Sequence, residues 1–371
     1  MSAPEDFDVI VIGAGIAGAS VAHFLAPHAR VVVVERESQP GYHSTGRSAA
    51  VFAPSYGPPQ VRALTRASRA FFDQIGGVLS PRGSLFPARA EQIDALDALH
   101  QRLLHEGARG VRRLDTRAAQ QIVPVLRDEA VAAALHDDDA SDIDVHALHQ
   151  YFLRGAKAHR AELRCDFEVR SLDGVQGRWQ ISDRERTLRA PIVVNAAGAW
   201  ADAIGARAGA RALGLQPKRR SAFTFAPPPG LDTHNWPCVV GIAEDFYFKP
   251  DAGVLLGSPA NADAVPAHDV VAEEIDIATG IARIEQATTL TIRRPLRTWA
   301  GLRSFVPDGE LVGGFDDALP GFFWCCGQGG YGIQTSAAMG QACAARVLGK
   351  PMPSHIGDQG LSFDALRCRR R

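Results

Sequence analysis

Three glycines near the N-terminus have the types and spacing that handling a phosphate-bearing ligand requires. In GAGIAG, Gly13 permits a tight turn, Gly15 lets backbone approach a pyrophosphate, and Gly18 allows the next helix to pack closely on its strand. Ile16 and Ala17 open that helix, whose N-terminal amides and dipole face the phosphates. Glu35 stands 20 residues beyond Gly15. A carboxylate there accepts hydrogen bonds from ribose hydroxyls and repels a 2′-phosphate. These residues predict a site for an adenine dinucleotide without that phosphate.

The elements that must position them are legible in order. FDVIVI at 7–12 reads as a buried strand, an alanine-rich helix runs to about Leu25, and VVVV at 31–34 ends at Glu35. Strand, glycine turn, helix and strand form one βαβ unit. FAD and NAD share this fingerprint, so the choice rests on three later segments. GYHSTGRSAA at 41–50 brings Ser44, Thr45, Gly46, Arg47 and Ser48 shortly after the second strand, where an extended flavin cofactor needs polar donors. VVNAAGAWAD at 193–202 places Ala196, Ala197 and Gly198 at a strand end, where backbone can lie against the cofactor. GQGGYGIQTS at 327–336 carries Gly329, Gly330 and Gly332 before a helix whose N-terminus favours negative charge on a reduced flavin. Together they favour FAD, held non-covalently.

Helical patterns at 60–74, 91–107 and 146–159 surround an acidic run, HDDDASDID, that reads as a solvated turn. From Gln216 to Phe305, alternating strands broken by Pro, Gly and Asp turns predict an antiparallel sheet. GFFWCCG and the helix after it bring the C-terminus back to the first sheet. The expected class is α/β with an α+β substrate domain. A Rossmann-like FAD-binding domain is assembled from 1–80, 141–215 and 306–371, and an antiparallel-sheet substrate domain from 81–140 and 216–305.

At 371 residues, with 46% hydrophobic and 22% charged residues, the chain has the composition of a globular protein large enough for two domains. A formal charge of −1 gives no long-range field to gather nucleic acid or anionic lipid. The acidic N-terminus leads straight into a strand and lacks the basic start of a secretory signal, so a cytoplasmic location is expected. No window approaches the length of a membrane helix, although peripheral membrane contact stays open. Six cysteines without metal-ligand or CxxC spacing read as reduced, mostly buried thiols, and no metal site is expected.

VIGAGIAGAS, GYHSTGRSAA, NAAGAWAD, LQPKRRSAF, LLGSPAN, TWAGLRSF and GQGGYGIQTS resemble the D-amino acid oxidase-like family of FAD-dependent oxidoreductases over nearly the whole chain, nearest to its bacterial D-arginine dehydrogenase branch. The resemblance implies FAD contacts also at Arg36, Ala49, Val169, Trp200, Gly301, Tyr331, Ile333 and Gln334. It further implies that Arg220 and Arg303 lie near a substrate carboxylate, which a guanidinium can grip through two parallel charge-assisted bonds. Tyr56 in the loop PSYGPP and Tyr247 in DFYFKP match family tyrosines near substrate, and the carbonyl of Gly330 matches an acceptor for the substrate amine. Where arginine-active members carry a glutamate and a histidine, this chain has Ser84 and Val51.

The implied activity is oxidative deamination of a D-amino acid. Hydride passes from Cα to flavin N5, the imino acid hydrolyses to a 2-oxo acid and ammonia, no protein nucleophile or metal is required, and no catalytic base is named. Ser84 and Val51 favour neutral or apolar side chains over arginine or lysine. The electron acceptor, whether quinone, electron carrier or oxygen, is left open. A flavin oxidase or dehydrogenase of a secondary amine or glycine (sarcosine, glycine or proline type) is the alternative, because the same arginine grip serves it. From another class, a cofactor-bound binding or assembly protein also fits.

Overall fold

The computed structural model describes residues 4–106, 108 and 110–368. The outermost residues of the expected terminal segments, 1–3 and 369–371, lie outside the described residues.

Val9–Ile12 is buried at every position and pairs in parallel with Val31–Val34 on one side and Ile192–Asn195 on the other. Its unbroken apolar sequence follows from burial on both faces. Val9 and Val11 pack toward the helices Ile16–Leu25 and Ser336–Val347. Ile10 and Ile12 pack with Val32, Val34, Trp179 and Trp324 on the opposite side. Glu162–Arg164 extends the sheet beyond Val31–Val34, while Phe322–Cys326 and the antiparallel Val312–Phe315 extend it beyond Ile192–Asn195, giving six strands. PIVVNAAG therefore does return to the first sheet, and the C-terminal helix does pack against it. A four-stranded sheet built around Arg178–Ser182 covers the second face.

The other large sheet has nine strands. Its longest pairing runs antiparallel from Gln216↔Phe305 to Thr224↔Arg297. Along Gln216–Phe225 successive side chains alternate between faces. Arg219, Ser221 and Phe223 point to the side covered by the helix Glu274–Ala287, and Arg220 and Ala222 point into a cleft between the two large sheets.

Two sequence expectations need correction. The strand Leu79–Pro81 pairs with Ser141–Ile143, so the expected domain boundary at residue 80 falls inside a strand. The acidic run is also not a simple solvated turn. Ala133–Asp137 is a strand with Asp137 only 2% exposed, and Asp142 is tied to Arg82 and Lys249. Pairing with partners remote in sequence overrode the polar pattern.

Candidate active site

The cleft begins where Val9–Ile12 gives way to the glycine turn. Gly13 has a φ of +101°, and a Cβ there would stand 2.5 Å from the carbonyl oxygen of Ala196. A Cβ at Gly18 would collide with the carbonyl of Gly13, so this glycine serves helix packing and does not line the cleft. Gly46 closes a turn, its N–H donating to the carbonyl of Gly41 at 2.8 Å, and it too is absent from the lining. The first turn of Ile16–Leu25 lacks a side-chain cap from Gly15. Instead Thr45 Oγ1 accepts from Ile16 N–H at 2.9 Å.

One lobe of the cleft brings Gly13, Glu35, Arg36, Val169, Ala197 and Trp200 together. Glu35 Oε2 accepts from Ala14 N–H at 2.8 Å and Oε1 from Glu37 N–H at 3.1 Å. Each oxygen keeps a second lone pair for a ribose hydroxyl. Arg36 stacks its guanidinium 3.9 Å from the Trp200 ring centroid. Gly15, Ser44, Thr45, Ala196 and Gly198 line both this lobe and the larger one, so the two form a continuous channel.

Beyond that junction the channel is lined by Ile16, Ala17, Ser48, Ala49, Gly301, Gly329, Gly330, Tyr331, Gly332, Ile333 and Gln334. Gln334 accepts from Ala53 N–H at 3.0 Å through Oε1, while its buried Nε2 has no partner among the described residues. Arg47 also lines this lobe, but its guanidinium is spent on Asp269 Oδ1 at 2.5 Å and on the carbonyls of Val270 and Ala300. With Ser44 donating to the carbonyl of Leu302 at 2.7 Å, Arg47 ties the loop after the second strand to the nine-stranded sheet. Those contacts lie more than 200 positions away in sequence, and nothing local announces them.

Arg220, Arg303, Tyr56, Tyr247, Ser84 and Val51 also line the larger lobe. Arg303 Nε donates to the carbonyl of Gly329 at 2.8 Å, and a Cβ on Gly330 would collide with the guanidinium. Arg220 Nε donates to the carbonyl of Asn261 at 2.6 Å. No carboxylate lies within ion-pair distance of either arginine among the described residues. Burial and the neighbouring charge of Arg303 push the Arg220 pKa down. At Arg303 burial also pulls downward, but the surrounding tyrosine oxygens outweigh it. Both guanidiniums stay charged at any ordinary pH. Tyr56 and Tyr247 reach Arg303 and Arg220 respectively, and Tyr331 lies under Arg303 with its pKa pushed up to about 12, mainly by burial. Tyr331 was expected against the cofactor; its ring also borders the arginine end.

Sequence reasoning missed His149 and offered Glu244 only as an acid that could take the place left empty by Ser84. His149, 4% exposed, hydrogen-bonds the carbonyl of Ala14 through Nε2 at 2.9 Å, bracing the glycine turn from a helix 135 positions away. Glu244, in a left-handed backbone conformation at the cleft mouth, accepts from the Tyr56 hydroxyl at 3.3 Å.

A channel with a carboxylate and an arginine–tryptophan stack at one end, close-approach glycines in the middle and an unpartnered amide beyond fits an extended FAD. The sequence matches the FAD dependent oxidoreductase (DAO) family over residues 8–346. The chain belongs to this family. It is a FAD-dependent enzyme. Among curated relatives, an uncharacterised oxidoreductase of Bacillus subtilis (strain 168) is 25% identical over 376 residues, spanning 92% of this chain and 95% of that one. Glycine oxidase from Geobacillus kaustophilus superimposes with a TM-score of 0.83 at 23% identity, covering 99% of both chains. L-Proline dehydrogenase from P. horikoshii gives 0.82 at 22% identity, over 97% of this chain and 100% of that one. The matches are varied oxidoreductases and single out no D-arginine dehydrogenase branch. No helix among the described residues is long and apolar enough to cross a membrane.

Proposed function

We propose that the chain oxidises the amine-bearing α-carbon of an amino acid held by its carboxylate, with D-amino acids as substrates. The observation that carries this reading is the pair Arg220 and Arg303, two half-buried residues lining the cleft whose guanidiniums have no carboxylate of their own among the described residues. Such charges are costly to keep unpaired, and a ligand carboxylate satisfies both. Bound FAD supplies the two-electron acceptor that turns the amine into an imine. The side chains supply orientation: Arg303 and Arg220 fix the carboxylate, Tyr56 and Tyr247 close over it, and the carbonyl of Gly330 accepts a hydrogen bond from the amine. Released imino acid hydrolyses in water to a 2-oxo acid and ammonia.

On this reading the six-stranded sheet and its loops, Glu35 to Gln334, hold the cofactor and the nine-stranded sheet holds the substrate. Ser84 and Val51 line the cleft without charge, which supports rejection of arginine and lysine side chains. A second reading, oxidation of glycine or a secondary amine, is supported by the likeness to glycine oxidase and L-proline dehydrogenase.

The test is anaerobic bleaching of the flavin by paired D- and L-amino acids alongside glycine, sarcosine and proline. The proposal expects the D-enantiomers to reduce the flavin fastest, with D-methionine ahead of D-lysine. Faster reduction by glycine, sarcosine or proline selects the second reading, and failure of every amine to bleach the flavin overturns both.

A further inference from the structure

We propose that Lys249 reads the far end of the substrate, so that the cleft favours amino acids of D-glutamate type that carry a second carboxylate. The inference rests on the reading above, in which Arg220 and Arg303 hold the first carboxylate.

Three strands place the ammonium. Cys238 is in register with Ser84, and Val240 with Tyr247. The antiparallel register Val239↔Phe248 then carries Lys249 level with Cys238 and Ser84. Residues in register share a face, and Ser84, Cys238, Val240, Tyr247 and Lys249 all line the cleft. Tyr247 reaches Arg220 at the carboxylate end. Lys249 is two residues further along the same strand, roughly 6.6 Å away, which suits a side chain of three or four atoms.

Charge argues the same way. Lys249 Nζ donates to Asp142 Oδ1 at 2.7 Å, its one hydrogen bond among the described residues, although an ammonium has three donors. The side chain is 6% exposed, too little for water to satisfy the rest freely. Asp142 is shared, since Oδ2 accepts from Arg82 Nε at 2.7 Å. Two cations on one carboxylate leave a net positive charge on groups that are all at most 17% exposed. The nearby acids do not cancel it. Glu244 is exposed and therefore screened, and Asp137 does not line the cleft and has its pKa raised by burial, which favours its uncharged form. A ligand carboxylate completes the ammonium's hydrogen bonding, and a second ammonium is repelled.

The experiment compares specificity constants for anaerobic flavin reduction by D-glutamate, D-glutamine and the near-isosteric D-methionine, using FAD-loaded parent, Lys249→Met and Lys249→Gln proteins. The D-glutamate to D-methionine ratio within each preparation cancels any general loss of activity. The parent ratio is expected to be at least 10, falling at least tenfold in Lys249→Met and moving toward D-glutamine in Lys249→Gln. A parent that uses D-methionine as well as D-glutamate overturns the proposal, even if one variant fails to fold, and leaves the reading of the arginine pair standing. A ratio that survives in Lys249→Met makes Lys249 a brace between sheets. If no amino acid reduces the flavin, the underlying reading fails, which is a different result.

Discussion

Arg219 and Arg220 are adjacent in sequence and point to opposite faces of one strand, where their guanidiniums meet opposite circumstances. Arg219 is 8% exposed and is met by Asp276 at 2.8 Å, by Asp263 at 3.5 Å and by Glu273. The same Asp276 accepts from the Ser221 hydroxyl at 2.7 Å and from the Asn261 amide at 3.1 Å. Arg220 has one backbone carbonyl, the Tyr247 hydroxyl and a neighbouring cation, and no carboxylate among the described residues. An arginine whose charge is met inside the protein holds the fold together, and one whose charge is not met is built for a ligand. The two faces are also linked, because the Asn261 residue fixed by Asp276 is the one whose carbonyl receives Arg220.

The comparison breaks most visibly in the paired substitutions Arg220→Met and Arg219→Met. Arg220→Met, like Arg303→Met, removes the charged contact proposed with substrate. A loss of at least about a hundredfold in kcat/KM is expected for amino acid substrates, with FAD still bound, because uncoupling one side of a buried charge pair costs on the order of 3 to 5 kcal/mol. Arg219→Met leaves Asp276 buried without its counter-ion and is expected to lower unfolding free energy by about 3 kcal/mol, read by denaturant titration. If Arg219→Met impairs flavin reduction as strongly as Arg220→Met in protein that is still folded, the division between the faces is wrong.

A smaller effect sharpens the contrast between substrate and cofactor ends. Glu35→Ala removes the carboxylate proposed to receive ribose hydroxyls and is expected to weaken FAD retention about tenfold or more while changing turnover of the loaded enzyme little. Equilibrium dialysis of FAD against the parent measures it, and unchanged retention would remove Glu35 from the cofactor site.

The smallest effect concerns pH. Burial holds the pKa of His149 below its ordinary value, the Ala14 contact only partly offsetting this. Between that lowered value and about 6.5 the unfolded chain binds a proton that the folded chain does not, so stability is full above about 6.5 and is lost as pH falls. His23 and His136 shift in the same direction for the same first reason. His149→Gln is therefore expected to shrink, without abolishing, the drop in Tm between pH 7.5 and 5.5. An unaltered drop would show that His149 does not contribute.

What the sequence disclosed tracks how local each determinant is. The strand FDVIVI, its glycine turn and Glu35 are legible because turn, helix start and strand end lie within one short unit whose residue types have few alternatives. Helices expected at 60–74 and 146–159 occur as Pro59–Ile75 and Val145–Ala158, since their apolar spacing is continuous. Arg47 looked like a cofactor residue, yet its guanidinium is consumed by Asp269 and two carbonyls, a fate set by a loop far along the chain. Asp142 looked solvated because its neighbours are acidic, but Lys249 and Arg82 come to it from other strands. Arg219 and Arg220 are indistinguishable as letters, and alternation along the strand decides which meets the helix Glu274–Ala287 and which meets the cleft.

The central claim is that the cleft recognises a carboxylate through Arg220 and Arg303 and presents the adjacent amine for oxidation. Anaerobic flavin reduction by D-methionine, set against the same amine lacking its carboxylate, tests it most directly in parent and Arg303→Met proteins. The account predicts that the parent prefers D-methionine by at least about a hundredfold and that Arg303→Met erases most of that preference. Equal reduction by the two amines in the parent, or an undiminished preference in Arg303→Met, would contradict it.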